Sequence, residues 1–121
     1  MNYKILVVEN DDENSLNIKE FFEKKDYQID ISNSIEKATY KIKNIKYSVI
    51  LLGTELLDFH GFEILRFLNK SKINIPIIII SKCIDSKTKI SAFRLGAVDY
   101  MVKPIDLDEL EARINVKLKF L

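Results

Sequence analysis

The 121-residue sequence predicts an α/β domain, an open parallel sheet wound on both faces with helices. Three observations carry that prediction. Short runs of β-branched and aliphatic residues alternate five times with segments spaced as amphipathic helices. The runs are apolar almost throughout, as strands covered on both faces are. Each intervening segment is long enough for the crossover of about a dozen residues that parallel neighbours need.

In chain order, the first strand is KILVV at 4–8. A helix over 14–25 follows, with Ile18, Phe21 and Phe22 on its apolar side. YQIDI at 27–31 alternates as a half-exposed strand would, and a helix over 34–45 carries Ile35, Ala38, Ile42 and Ile45. YSVILL at 47–52 is the third strand, followed by a helix over 61–70 with Phe62, Ile64, Leu65 and Leu68. IPIIII at 75–80 is the fourth, followed by a helix over 86–95 with Ile90, Phe93 and Leu95. VDYMV at 98–102 is the fifth, and the final helix over 107–120 carries Leu107, Leu110, Ile114 and Leu118. The chain ends in KLKFL with no Gly, Pro or polar stop signal, so it reads as cut from something longer.

Composition narrows the function classes. One domain of this length buries a sizeable core without staples. Nineteen basic and eighteen acidic residues leave a net charge of +1, which gives no electrostatic footprint for nucleic acid or an anionic membrane. The single cysteine, Cys83, excludes an internal disulfide framework and fits a reducing cytoplasm; it reads as a core or near-core thiol. No apolar run is long enough to span a bilayer, and the opening MNYKILVV carries no secretory signal.

In open parallel sheets, ligands gather beyond the carboxyl ends of the strands. Those ends carry Glu9, Asn10, Asp11 and Asp12 after the first strand, and Gly53, Thr54 and Glu55 after the third. Ser81 follows the fourth, with Lys103 and Pro104 after the fifth. Acids, a hydroxyl and a lysine converge on one crevice. The third strand, however, delivers a glycine to it.

The order and spacing of KILVVENDDEN, VILLGTELLDFHGFEIL, PIIIIS and GAVDYMVKP resemble, over residues 3 to 119, a receiver domain of two-component response regulators, the CheY-like group. The resemblance implies a flavodoxin-like, doubly wound sheet of five parallel strands in the order 2-1-3-4-5, flanked by five helices. It also implies a site in which acids after the first strand, and an aspartate ending the third, bind Mg²⁺ while that aspartate takes a phosphoryl group. Residue by residue the match is partial. Glu9 stands at the first acidic position but Asn10 at the second. Ser81 matches the hydroxyl, Lys103 the lysine, Tyr100 the switch aromatic, and Pro104 the proline after the lysine, often cis in the family. Gly53 stands where the phosphoryl-accepting aspartate belongs, and Leu57 and His60 replace the proline and aspartate usual in the next loop.

Mg²⁺ needs an oxygen shell with one or two carboxylates, and an acyl phosphate needs a carboxylate nucleophile. The expectation is a vestigial pocket of Glu9, Asn10, Gly53, Ser81 and Lys103, with no catalytic residue, metal or cofactor. A strand-end lysine in a partly buried pocket needs an anionic partner. Glu9 is the expected partner of Lys103, with Asp11 or Glu55 as alternatives. Asp11 and Asp12 read as loop acids favouring the N-terminus of the first helix, the sharper alternative being substitute phosphoacceptors. His60 reads as neutral surface, and Ser81 as a hydroxyl bonded to backbone. Tyr100 reads equally as a bistable switch or as a packed aromatic.

KISAFRLGAVDY and DELEARINVKL resemble the dimer face of OmpR/PhoB-type winged-helix regulators. That resemblance implies intermolecular pairs of Asp99 with Arg113 and of Lys89 with Glu109, reciprocal across a two-fold axis. Ile90, Phe93, Leu95 and Ala112 are interleaved, whereas Arg94 and Asn115 depart from a third pair. The function expected is that of an atypical, non-enzymatic, cytoplasmic receiver, dimerising without phosphorylation through its fourth helix, fifth strand and fifth helix. DNA contact would come from a C-terminal winged-helix domain beyond Leu121, and a partner histidine kinase would not phosphorylate it. The alternatives are a stand-alone protein-binding adaptor, or a receiver phosphorylated at Asp11, Asp12 or Asp58.

Overall fold

Backbone pairing turns the alternating runs into a single sheet. The computed structural model describes residues 3–54 and 62–119. Its elements are β1 (Lys4–Val8), α1 (Asp12–Glu23), β2 (Gln28–Ser32), α2 (Ile35–Asn44), β3 (Val49–Gly53), α3 (Glu63–Ser71), β4 (Ile77–Ser81), α4 (Ser86–Arg94), β5 (Asp99–Val102) and α5 (Leu107–Lys119). All four neighbouring pairs are parallel, in the order β2-β1-β3-β4-β5. This is the flavodoxin-like topology that the resemblance implies.

Period-two alternation divides each strand between two apolar layers. Ile5, Val7, Val49, Leu51, Ile78, Ile80 and Met101 face Ile18 and Phe22 of α1 and Leu110, Ile114 and Leu118 of α5. Leu6, Val8, Ile50, Leu52, Ile77, Ile79 and Tyr100 face Ala38 and Ile42 of α2, Ile64, Leu65 and Leu68 of α3, and Ala92 of α4. The three central strands are buried on both sides, which explains why their polar residues, Lys4 and Ser81, stand only at strand ends.

Four of the five helices start at side-chain caps, and α3 starts without one. Asp11 accepts from the Asn14 N–H at 3.1 Å and Ser34 from that of Lys37 at 3.2 Å. Asp85 accepts from Lys87 at 3.4 Å and Asp106 from Glu109 at 3.0 Å. Each satisfies a donor that the first turn leaves without an intrahelical partner. The Asp11 cap starts α1 ahead of its first apolar residue. Pro76 has no N–H to give a ladder, so β4 begins after it and runs on to Ser81. Gly96 takes a φ of +108°, closing the end of α4, where Asn69 Nδ2 donates to the Leu95 carbonyl at 2.8 Å.

One helix departs from its periodic reading. Ile90 and Phe93 of α4 are 48% and 47% exposed, and the residue that α4 buries is Ala92. No helix among the described residues is long and apolar enough to cross a membrane.

Candidate functional site

The register aligns the carboxyl ends of β1, β3, β4 and β5. Val8 lies beside Leu52, Gly53 beside Ile80, and Ser81 beside Val102. The residues that follow or end these strands therefore meet at one edge. Glu9 is 3% exposed and the Lys103 side chain 9%. Lys103 Nζ donates to Glu9 Oε1, and Asn14 Nδ2 of α1 donates to the same oxygen at 3.0 Å. The pairing of Lys103 with Glu9 is the one the sequence favours. Lys103 and Pro104 are joined by a cis peptide bond.

Gly53 is where the geometry adds something new. A β-carbon built there would fall on Glu9 Oε2, 2.8 Å from Glu9 Cδ and 3.2 Å from the Val8 carbonyl oxygen. The Glu9 carboxylate thus lies in the space where a side chain at 53 would begin. Oε2 is buried and has no hydrogen-bond partner among the described residues.

Around this pair, hydroxyl and backbone groups tie the strand ends together. Thr54 Oγ1 lies 2.6 Å from Ser81 Oγ, which accepts from the Cys83 N–H at 3.0 Å. The Lys103 N–H donates to the Ser81 carbonyl at 2.8 Å. Tyr100 is buried, and its hydroxyl donates to the Cys83 carbonyl at 2.8 Å, so the aromatic packs inward against the loop after β4. Cys83 is half-buried. Asn10 is exposed, while Asp11 and Asp12 serve the start of α1 as cap and first-turn acid. Beside the pair runs a groove of about 450 Å³, lined by Asp11, Glu13, Asn14, Asn17, Lys82, Lys103, Pro104 and Ile105. Glu55, Leu57, Asp58 and His60 lie outside the described residues.

Could this crevice hold Mg²⁺? The ion wants a near-octahedral shell of oxygens. The buried carboxylate here already carries an ammonium, and among the described residues no three His, Cys, Asp or Glu side chains gather around a point. These residues do not fit the ion.

A second cluster covers the face of α4, β5 and α5. Arg113 Nη1 donates to Asp99 Oδ1 at 2.9 Å and Oδ2 at 3.0 Å, and Arg113 Nε to Glu109 Oε2 at 2.9 Å. Asp99 also accepts from the Tyr100 N–H at 2.9 Å, with Lys117 Nζ 3.6 Å away. Its carboxylate, then that of Glu109, holds the Arg113 guanidinium above its ordinary pKa. The dimer-face resemblance implies a bond between Asp99 and Arg113 across a dimer and one between Glu109 and Lys89. Within one chain Arg113 already joins Asp99 and Glu109. Lys89 instead lies over the Tyr100 ring, 5.6 Å from its centre. The departure at Asn115 also has a local reason, since its Oδ1 accepts from the Tyr27 hydroxyl at 2.9 Å. Arginine reaches its neighbours on the same helix because Glu109 lies one turn before it. The apolar side chains on this face point outward. Ile84 is 74% exposed, beside the half-exposed Ile90 and Phe93, while Val98 and Val116 are 40% and 51% exposed.

Comparison with known proteins places the chain in a family. The model of the response regulator receiver domain matches residues 5–115. The transcriptional regulatory protein CrdR of Helicobacter pylori is 36% identical over 116 residues, which cover 95% of this chain and 54% of CrdR. The receiver domain of the Francisella response regulator 1452 superposes with a TM-score of 0.91 at 31% identity, covering 98% of each chain. The OmpR/PhoB homologue DrrB of Thermotoga maritima shares the fold at 24% identity and a TM-score of 0.86, over 99% of this chain and 54% of DrrB. The chain spans about half the length of the curated relatives it matches.

Proposed function

The chain belongs to the response regulator receiver family, and from that premise we propose that it is a member that signals without aspartyl phosphate. One observation carries the reading. The third strand ends in Gly53, and the space above that glycine is taken by a carboxylate already paired with Lys103. An acyl phosphate needs a carboxylate nucleophile on that strand and a metal to neutralise the incoming charge. Asp11 is a poor substitute, since its carboxylate is engaged as the cap of α1.

In this reading the domain acts by dimerising through α4, β5 and α5, and so sets two attached DNA-reading domains on paired half-sites. What supports the dimer is the exposed apolar side chains of Ile84, Ile90 and Phe93. The start of α5 and the body of α4 also carry opposite charge. The first turn of α5 is acidic at Asp108 and Glu109, and α4 has Lys87, Lys89 and Arg94 with no acid. A two-fold axis that lays α4 of one copy against α5 of the other matches the two. The transcriptional role follows the regulators to which the chain is similar, such as CrdR.

Incubation with acetyl phosphate and Mg²⁺, followed by intact-mass measurement, tests the first half. The expected result is no added phosphoryl group, and an adduct mapped to any acid overturns it. Sedimentation at micromolar concentration tests the second half. A monomer whose state is unchanged by Phe93→Asp would leave the adaptor reading in its place.

A further inference from the structure

A glycine ending a buried strand calls for a reason, and the backbone does not supply one. Gly96 needs its glycine because its φ is +108°. Gly53 sits in the β3 ladder without a positive φ, where any residue fits the backbone. Glycine within a strand is also unfavourable, because it loses the most freedom on folding and packs nothing. What distinguishes position 53 is the group above it. Glu9 reaches across from the end of β1, and its Oε2 stands where a β-carbon at 53 would be. Its other oxygen holds Lys103 from β5 and Asn14 from α1. One side chain therefore links four elements across the mouth of the crevice.

We propose that Glu9 is a transposed carboxylate, filling from β1 the side-chain space left empty at Gly53 on β3 and positioning Lys103 there. Gly53 is then the consequence of Glu9, since the carboxylate sits in this place only if residue 53 has no side chain. The built-in anion anchors the Lys103 ammonium, and through the bond from the Lys103 N–H to the Ser81 carbonyl it fixes the end of β5 against β4. The crevice needs no external anion to keep that arrangement. This inference rests on the crevice alone and holds whether or not the domain dimerises.

A double-mutant cycle between the two positions tests it, with two readouts. One is the urea midpoint of unfolding. The other is the rate at which an amine-acylating reagent labels Lys103, read by peptide mass, which reports the ammonium and not general packing. Gly53→Ala is expected to lower the midpoint and to speed Lys103 labelling severalfold, because the methyl group evicts the carboxylate. In the Glu9→Ala background the same Gly53→Ala change is expected to be neutral or stabilising. The decisive variant is the double replacement Glu9→Ala, Gly53→Asp, which returns the carboxylate to β3. It is expected to recover the slow Lys103 labelling that Glu9→Ala alone loses. Equal effects of Gly53→Ala in both backgrounds would overturn the proposal. So would a Lys103 amine that stays protected in Glu9→Ala, since another group would then hold it. Should Gly53→Ala fail to fold, Glu9→Ala alone and its double with Gly53→Asp still decide between the outcomes.

Discussion

Replacing Lys103 by methionine removes the ammonium while keeping the length and apolar body of the side chain. The Glu9 carboxylate would remain 3% exposed, with Asn14 Nδ2 as its described donor and Oε2 already without one. Removing one partner of a buried pair typically costs about 3–5 kcal/mol, chiefly because the remaining charge is left unpaired. Glu9 follows β1 at the crevice mouth, where it can turn toward water, so the lower figure of about 3 kcal/mol is expected. In a domain of this size that is a fall in Tm of roughly 10 °C. Adding Glu9→Gln removes the second charge at nearly constant shape. The double variant is expected to return to within about 1 kcal/mol of the wild type, since neutral replacements of a buried pair are often tolerated. Urea denaturation of the four proteins measures the coupling directly. A Lys103→Met loss below about 0.5 kcal/mol would refute the reasoning, as would a double variant equal to the sum of the singles. Either result would show that the attraction in the pair is cancelled by its desolvation.

Other perturbations read other parts of the molecule. Tyr47 is buried and its hydroxyl donates to Asp30 Oδ2 at 2.6 Å. Burial first, then that carboxylate, raise its pKa well above the ordinary phenol value of 10.0. The stabilisation is therefore full below pH 10 and lost as the pH rises from there through the higher folded-state value. Tyr47→Phe is expected to cost about 1.5 kcal/mol at neutral pH and to flatten that alkaline loss, both measured by denaturation against pH. Arg113→Ala is expected to cost about 0.5–1 kcal/mol even in dilute monomer, because its partners Asp99 and Glu109 lie in the same chain and the guanidinium is partly exposed. No loss at all would return those charges to the intermolecular role. Phe93→Asp is expected to leave Tm unchanged while weakening self-association at least about tenfold, the equivalent of roughly 1.4 kcal/mol of apolar contact. Sedimentation equilibrium across concentrations checks it.

The architecture is legible in the amino-acid pattern alone, because the signals for it are local. KILVV, VILLG and IIIIS are apolar on both faces of the strand, and only a sheet covered on both sides uses such runs. The meeting of Glu9, Gly53, Ser81 and Lys103 was legible for the same reason, since parallel strands of similar length bring their carboxyl ends to one edge. The Lys103 partner could also be named, because a shielded ammonium requires an anion and Glu9, just past β1, is an acid at the same edge of the sheet.

Tertiary structure decided what each side chain does with the space around it. Periodicity puts Ile90, Phe93 and Leu95 on the apolar side of one helix, but α4 docks so that Ile90 and Phe93 are exposed and Ala92 is the residue buried. The dimer-face resemblance pairs Asp99 with Arg113 and Lys89 with Glu109 between chains, without showing which bonds a single chain makes. Within one chain, Arg113, one turn beyond Glu109 and facing β5, bonds both carboxylates. Gly53 shows the limit most sharply. The sequence shows a missing side chain, while the carboxylate in its place comes from 44 residues earlier, through a register and a rotamer that only packing fixes. A residue's absence is written in the chain; what moves into the space it leaves is settled by the distances between strands.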